Sequence, residues 1–432
     1  MAFPKYESYK DSGVEWLGEI PSHWESKRNL GLFDERKETN RPDMELLSVT
    51  IDQGVIRQSE ISIKKDSSNE DKSKYKVVYR GDLAYNKMRM WQGAIGMSDY
   101  TGIVSPAYII LNTRNKNYAK FFHYLYRTEL FIREANRHSY GLCSDMNSLR
   151  YEDFKTLYSP VPPHDEVNRI VDFLDRITND IDQAIAKKQR LIELLNEQKA
   201  ILINRAVTKG LNPNIPMRDS GIEWIGEIPE HWKSQRLKFS VKNIYDCKNR
   251  TPEYFENGEY FVIRTSNVRN GKLSLEDGFY TDRNNFIKWT QKGQPLPNEL
   301  VFTREAPAGE VAMIPDNNIE MCLGQRMMGI KTNENEVLSN YLLYFLQSQA
   351  LKEYVAIKSA GSTVSHLRVG QVFDIPIIYP SSISEQKEIA DLCSRYTEEI
   401  DYGCKFIQND IEKIREFHKT LIAEAVTGKI KV

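Results

Sequence analysis

The chain has 432 residues, 40% of them apolar and 28% charged, with a formal net charge of −1. That length exceeds one ordinary hydrophobic core and predicts roughly two to four packed units. Near-neutral charge argues against a protein that coats nucleic acid by bulk electrostatics, although Lys and Arg gathered on one face could still hold a duplex. Five cysteines without a C-x-x-C pair argue against a disulfide framework or a zinc knuckle, and predict a reducing cytoplasm. No apolar run reaches membrane-span length, and residues 1–10 carry no apolar signal core.

Residues 11–28 read DSGVEWLGEIPSHWESKR, and residues 219–236 read DSGIEWIGEIPEHWKSQR, with 13 of 18 positions identical. Such self-similarity means a duplicated architecture. The paired Trp16/Trp224, Trp24/Trp232 and His23/His231 are expected to dock the start of each half onto the long helices, not to bind metal. Downstream, Leu46–Ile51 and Tyr75–Tyr79 read as strands, and Thr101–Leu111 as another pair. Between them, Gly81–Gly96 packs Tyr85, Asn86, Lys87, Arg89, Trp91 and Gln92 into a Gly-bounded hairpin or loop. These side chains include the donors and acceptors that read base edges. Asn117–Arg137 reads as one amphipathic helix. After it, Ser139, Tyr140, Gly141, Ser144, Asn147 and Arg150 form a small polar loop suited to phosphate.

Pro160, Pro162 and Pro163 precede the first long helix. Val167, Ile170, Leu174, Ile177, Ile181, Ala184, Lys188, Leu191, Leu195, Gln198 and Leu202 keep strict 3-4 spacing, the seam of a coiled coil. ILINRAVT at 201–208 and Gly210 close it. In the second half, strands are expected at Tyr260–Arg264, Glu299–Thr303 and Glu310–Ile314, and a helix at Leu338–Ile357. Arg264, Ser266, Asn267, Arg304, Gln325 and Arg326 are its candidate readers. Ser359, Gly361, Ser362, Thr363, Ser365, His366 and Arg368 repeat the polar loop. Pro380 then precedes a second seam from Gln386 to Leu421, closed by TLIAEAVT at 420–427 and Gly428.

The frame repeats, whereas residues 30–138 and 238–358 share little. Divergent inserts in a duplicated frame predict two readers of different targets. The expected fold is α+β with a pseudo-two-fold repeat. Residues 1–160 and 211–380 would form two globular domains of mixed strands and helices. Residues 161–210 and 381–432 would be long helices that pair antiparallel and separate those domains as a rod. Pairing with a second copy of the chain is the alternative use of such seams.

The paired Trp frames, GDLAYNKMRMWQGAIG at 81–96, GSTVSHLR at 361–368, and Glu166 or Glu385 opening each long helix carry a resemblance. Along nearly its whole length the chain resembles the specificity subunits of type I restriction–modification systems. That resemblance implies two target recognition domains reading a bipartite, asymmetric double-stranded DNA target. It also implies two modification (methyltransferase) subunits and the restriction subunits as partners. S-adenosylmethionine, ATP and Mg²⁺ would sit on those partners, and no cofactor on this chain.

Missing motifs point the same way. There is no G-x-x-x-x-G-K-[ST] phosphate loop, and no Asn/Asp-Pro-Pro-aromatic stretch of an adenine methyltransferase. The E-x-K triplets at 197–199 and 385–387 lie on or at the start of heptad helices, where charges form a solvated face. Recognition without catalysis is therefore expected. The alternatives are a self-contained DNA-modifying enzyme of another type, or a coiled-coil protein-interaction scaffold without DNA readout, which the near-zero net charge would suit.

Overall fold

A computed structural model describes residues 3–51, 53–61, 71–141, 147–248, 250–276, 278–359 and 365–432. The chain divides into two compact units, residues 1–188 with 408–432 and residues 189–407. In unit 1 a four-stranded antiparallel sheet is built from β1 (Phe33–Arg36), β2 (Leu83–Asn86), β3 (Ile95–Met97) and β4 (Tyr108–Thr113), in the order β1-β4-β2-β3. Leu83, Tyr85 and Ile95 bury one face of it against helices α1 (Ala119–Tyr126) and α2 (Glu129–Arg137). On the opposite face, Ala84 and Ile110 pack with Val49, Val55 and Val104 of smaller strand pairs.

Helix α3 (His164–Lys209) starts directly after Pro163, and Gly210, at φ +74°, ends it in the left-handed conformation that only glycine adopts without strain. In unit 2, β5 (Val241–Asp246), β6 (Leu300–Thr303), β7 (Val311–Met313) and β8 (Met327–Thr332) form a second antiparallel sheet in the order β5-β8-β6-β7. This is the connectivity of unit 1, strand for strand. Register agrees as well: Leu83 pairs with Leu111 and Met97, and Leu300 with Ile330 and Met313. The inserts that share little sequence therefore share a sheet. Helices α4 (Ser339–Phe345) and α5 (Gln349–Ser359) cover it.

The single helices expected over 117–137 and 338–357 are each two. Thr128 accepts from the Phe131 amide at 3.3 Å and donates to the Leu125 carbonyl at 2.7 Å, ending one helix and capping the next. Ser348 donates to the Phe345 carbonyl at 2.6 Å at the matching break. A hydroxyl that bonds nearby backbone competes with the helical ladder.

Helix α6 (Ile383–Val426) is capped by Ser382, whose hydroxyl accepts from the Glu385 amide at 3.4 Å, and ends at Gly428 with φ +71°. Segments of α3 and α6 run antiparallel inside each unit. In unit 1, Thr178 meets His418 at 2.9 Å and Lys188 meets Asp410 at 3.1 Å. In unit 2, Lys199 meets Asp401 at 2.6 Å, and Asn196 lies by Cys404. The buried seam keeps its expected register at the helix ends, at Val167, Ile170, Leu174, Ile389, Cys393 and Leu421. Toward the middle it slips by one residue. Lys199 replaces Gln198 as the inward position, His418 replaces Phe417, and Leu191 is 46% exposed. A helix of 3.6 residues per turn drifts against a strict 3.5 repeat, and the polar pairs tolerate that drift.

Trp24 and Trp232 of the repeated frame dock on the long helices as expected, whereas Trp16 meets Phe131 of α2 and Trp224 meets Tyr354 of α5. Trp24 is wholly buried with Leu421 and Val426 and lies against Gly428. Trp232 lies against Gly210 and donates its indole N–H to Glu385 at 3.0 Å. His23 bonds Glu166 at 2.8 Å and His231 bonds Glu385 at 2.8 Å, with Tyr6 also donating to Glu166. Cys247, Cys322, Cys393 and Cys404 are free thiols, and Cys143 lies outside the described residues. Among the described residues no helix is long and apolar enough to cross a membrane.

Inside unit 1, His123 accepts the Met97 amide N–H through Nδ1 at 3.0 Å. Burial, aided by Arg127 and Lys120, pushes its pKa down to about 3. The unfolded chain therefore binds a proton below the ordinary pKa of about 6.5 that the folded chain refuses, and stability falls as pH drops from there toward 3. Between pH 7 and pH 5 this one group should cost about 2 kcal/mol. Denaturant unfolding at both pH values should show an acid sensitivity smaller by that amount in His123→Gln. Equal sensitivity in both proteins would contradict this account.

Candidate nucleic-acid interface

Strand β2 of unit 1 leads into a tight loop. The Met88 amide donates to the Asn86 side chain at 3.0 Å, a one-turn helix covers Met90–Gln92, and Gly93 at φ +88° turns the chain into β3. A Cβ at Gly93 would sit 2.7 Å from Ile132, so the turn excludes other residues there. Lys87 is half-buried, and Arg89 and Gln92 are exposed. None of these three side chains forms a hydrogen bond or ion pair among the described residues.

The second polar cluster reaches the same place. The Leu149 amide donates to the Lys87 carbonyl at 2.9 Å, joining loop 87–93 to loop 139–150. Tyr140 and Ser148 form a backbone bridge there, Asn147 contacts Asn136 at 3.4 Å, and Tyr140 and Arg150 are exposed. Residues separated by more than sixty positions thus share one edge of the unit. Ser144 lies outside the described residues.

Unit 2 repeats the junction with the same atoms. The Leu367 amide donates to the Arg304 carbonyl at 2.9 Å, and the Arg304 amide donates to the Arg326 carbonyl at 2.9 Å. Arg304 thus holds the backbone position of Lys87. Glu305 then ties two loops together. It pairs with Arg326 Nε at 2.9 Å and with His366 Nδ1 at 2.8 Å. Arg326 sits at φ +74°, a conformation uncommon for a non-glycine residue, held by these contacts. Gln325 is half-buried, and its amide donates to Thr251 at 3.3 Å. Arg264 stacks its guanidinium over Phe279 at 5.1 Å. Ser365 is half-buried, Arg368 and Ser266 are exposed, and Gly361, Ser362 and Thr363 lie outside the described residues.

Three candidates are corrected. Tyr85 is wholly buried and packs on Phe154 at 5.5 Å, with burial pushing its hydroxyl pKa far up, so it is core and not a reader. Ser139 is buried and donates to the Ala135 carbonyl at 2.7 Å. Asn267 is buried, accepting from the Arg264 amide at 2.9 Å and donating to the Ser274 carbonyl at 3.2 Å. Ser139 and Asn267 spend their polar atoms inside the chain, and the Tyr85 hydroxyl is buried away from the surface. Glu305 is the residue that sequence reasoning missed. Its partners lie 21 and 61 positions away, and nothing local announces them. Among the described residues no group of three or more His, Cys, Asp or Glu gathers as a metal site.

Two units of one topology, each presenting two loops locked edge to edge by a backbone bond, define a twin-module recognition protein. The profile of the type I restriction–modification DNA specificity domain matches residues 229–413. Two full-length relatives from Methanocaldococcus jannaschii agree. One, assigned as the MjaX type I restriction enzyme specificity subunit, is 24% identical over 100% of this chain and 99% of its own. The MjaVIII type I restriction enzyme specificity subunit is 23% identical over 100% and 98%. A chain solved in work on complex assembly and conformational transition of the type I R-M system has the same fold. Its TM-score is 0.68 at 12% identity, covering 94% of this chain and 98% of that one. Over its full length the chain is therefore similar to specificity subunits of type I restriction–modification systems, with the DNA specificity domain matched over residues 229–413. The matched domain is one of DNA specificity, the role of target recognition.

Glu305→Gln keeps the size of the clamp and removes its charge. Amide hydrogen exchange at 324–326 and 365–368 should accelerate, while the sheet amides of 300–303 stay protected. Unchanged exchange at both loops would mean that something other than Glu305 holds them.

Proposed function

We propose that the chain reads a split, asymmetric double-stranded DNA target, one half through residues 1–160 and the other through residues 211–380, and directs partner subunits to it. One observation carries this reading: the same junction, Lys87–Leu149 in one unit and Arg304–Leu367 in the other, presents different side chains. Lys87, Arg89, Gln92, Asn147 and Arg150 line the first. Gln325, Arg326, His366 and Arg368 line the second. Arg pairs with guanine and Asn or Gln with adenine at major-groove edges, so unlike sets select unlike half-sites. Identical sets would read a palindrome.

Residues 161–210 and 381–432 then act as the spacer that fixes the distance between half-sites. Exposed apolar side chains on these helices, Leu194, Ile201, Tyr402 and Phe406 among them, suit the seating of two modification subunits. Restriction subunits complete the assembly. S-adenosylmethionine binds the modification subunits, ATP and Mg²⁺ the restriction subunits, and this chain holds no cofactor of its own.

Co-expression with the modification subunit, followed by mapping of adenine methylation on host DNA, tests the reading. A split, asymmetric motif should appear only when this chain is present. A stable complex that leaves no new methylation would overturn it.

A further inference from the structure

Arg304 is a buried cation of unit 2 whose donors are poorly met. Its side chain is 10% exposed, yet Nε is buried without a partner. One terminal nitrogen reaches the Leu367 carbonyl only at 3.4 Å, and the other stands 3.8 Å from Asp246, too far for a hydrogen bond. A guanidinium carries five donors, and burying them unmet is costly. An arginine kept in this state has room for a better acceptor.

The guanidinium lines an open cleft of about 710 Å³, shared with Asp246, Cys247, Lys248, Arg250, Lys292 and Val369. Four cations surround a single carboxylate. Lys292 approaches that carboxylate only to 3.9 Å, and Lys248 lies over the Trp289 ring at 5.3 Å. The charge of the cleft is therefore left for an anion. Its position narrows the choice. Arg304 is bonded through its own backbone to Arg326 and Leu367, the two loops that carry Gln325, Arg326, His366 and Arg368. The matching backbone position in unit 1 holds another cation, Lys87.

We propose that this cleft seats a backbone phosphate of the bound duplex, with Arg304 as its innermost donor and Lys248, Arg250 and Lys292 at the rim. The inference rests on the DNA-recognition reading and adds to it a place and a role. A guanidinium fork matches phosphate oxygens. Phosphate contacts carry no sequence information but set the register in which readers meet bases. A phosphate held by Arg304 would place the two reading loops of unit 2 at a fixed step along the groove. These groups are consequently positioning residues, and the loops beside them discriminate.

The test uses the full chain assembled with its modification subunits, and duplexes carrying the methylated motif or single-base variants of it. Affinity is measured against salt for wild type, Arg304→Gln and the exposed-rim variant Lys292→Gln. Each variant should bind more weakly, with the log–log salt slope reduced by about 1, and with the preference for target over variant duplexes unchanged. A scan of neutral methylphosphonates across the second half-site should find one position that weakens wild type and not Arg304→Gln. Should Arg304→Gln misfold, Lys292→Gln carries the slope test, since its side chain is 59% exposed. Unchanged slopes with specific binding intact would overturn the phosphate seat and leave the recognition reading standing. Absence of sequence preference in wild type would overturn both.

Discussion

Everything in this chain hangs on the docking of a repeated hairpin frame onto the ends of two long helices. Trp24 seats on Gly428 beyond α6, and Trp232 on Gly210 beyond α3. Burying an indole removes some of the largest apolar area any side chain offers. The left-handed glycine allows the ring to approach: a Cβ at Gly428 would strike Pro21 at 2.4 Å, and one at Gly210 would crowd Trp232 at 3.3 Å. Lys429 reaches back to the Glu19 carbonyl, and Lys209 to the matching Glu227 carbonyl. Each helix end is thus clasped by the frame of the half that shares its unit. Glu166 and Glu385 lock the opposite elements to the same frame, through His23 in one unit and His231 in the other.

With the scaffold fixed, the reading loops are free to differ. The bond from Leu149 to Lys87, or from Leu367 to Arg304, closes each unit's edge through main-chain atoms. In unit 1 the Lys87, Arg89 and Gln92 side chains are left free of that duty, whereas in unit 2 Glu305 adds a side-chain clamp through Arg326 and His366. Near-neutral net charge fits this arrangement. The cations proposed to meet DNA gather at loop edges and in one cleft, while paired charges such as Lys199–Asp401 and Lys188–Asp410 serve the helices. Recognition by a few placed cations needs no basic surface.

The frame, the long helices and their antiparallel pairing were legible because each speaks in many residues at once. Thirteen identities mark the frame, and a long run of spaced, mostly apolar positions marks each seam. The shared sheet was not legible. Leu83-Ala-Tyr-Asn86 and Leu300-Val-Phe-Thr303 agree only in burying apolar side chains, and a strand covered on both faces shows no alternation. The same fact hid the place of Tyr85: its neighbours look like readers, and it is buried with the strand. Thr128 and Ser348 sit inside apolar periodic runs, so the helix breaks they make escaped periodicity. The clamp at Glu305 and the cleft around Arg304 draw on residues scattered from 246 to 369, and only the fold assembles them.

The central claim is that two units of one topology read two different half-sites. Exchange of residues 30–158 for the matching insert of another specificity subunit, followed by methylation mapping, tests it most directly. The account predicts that one half of the motif changes while the other half and the spacer stay as they were. A change in both halves, or in neither, would contradict it.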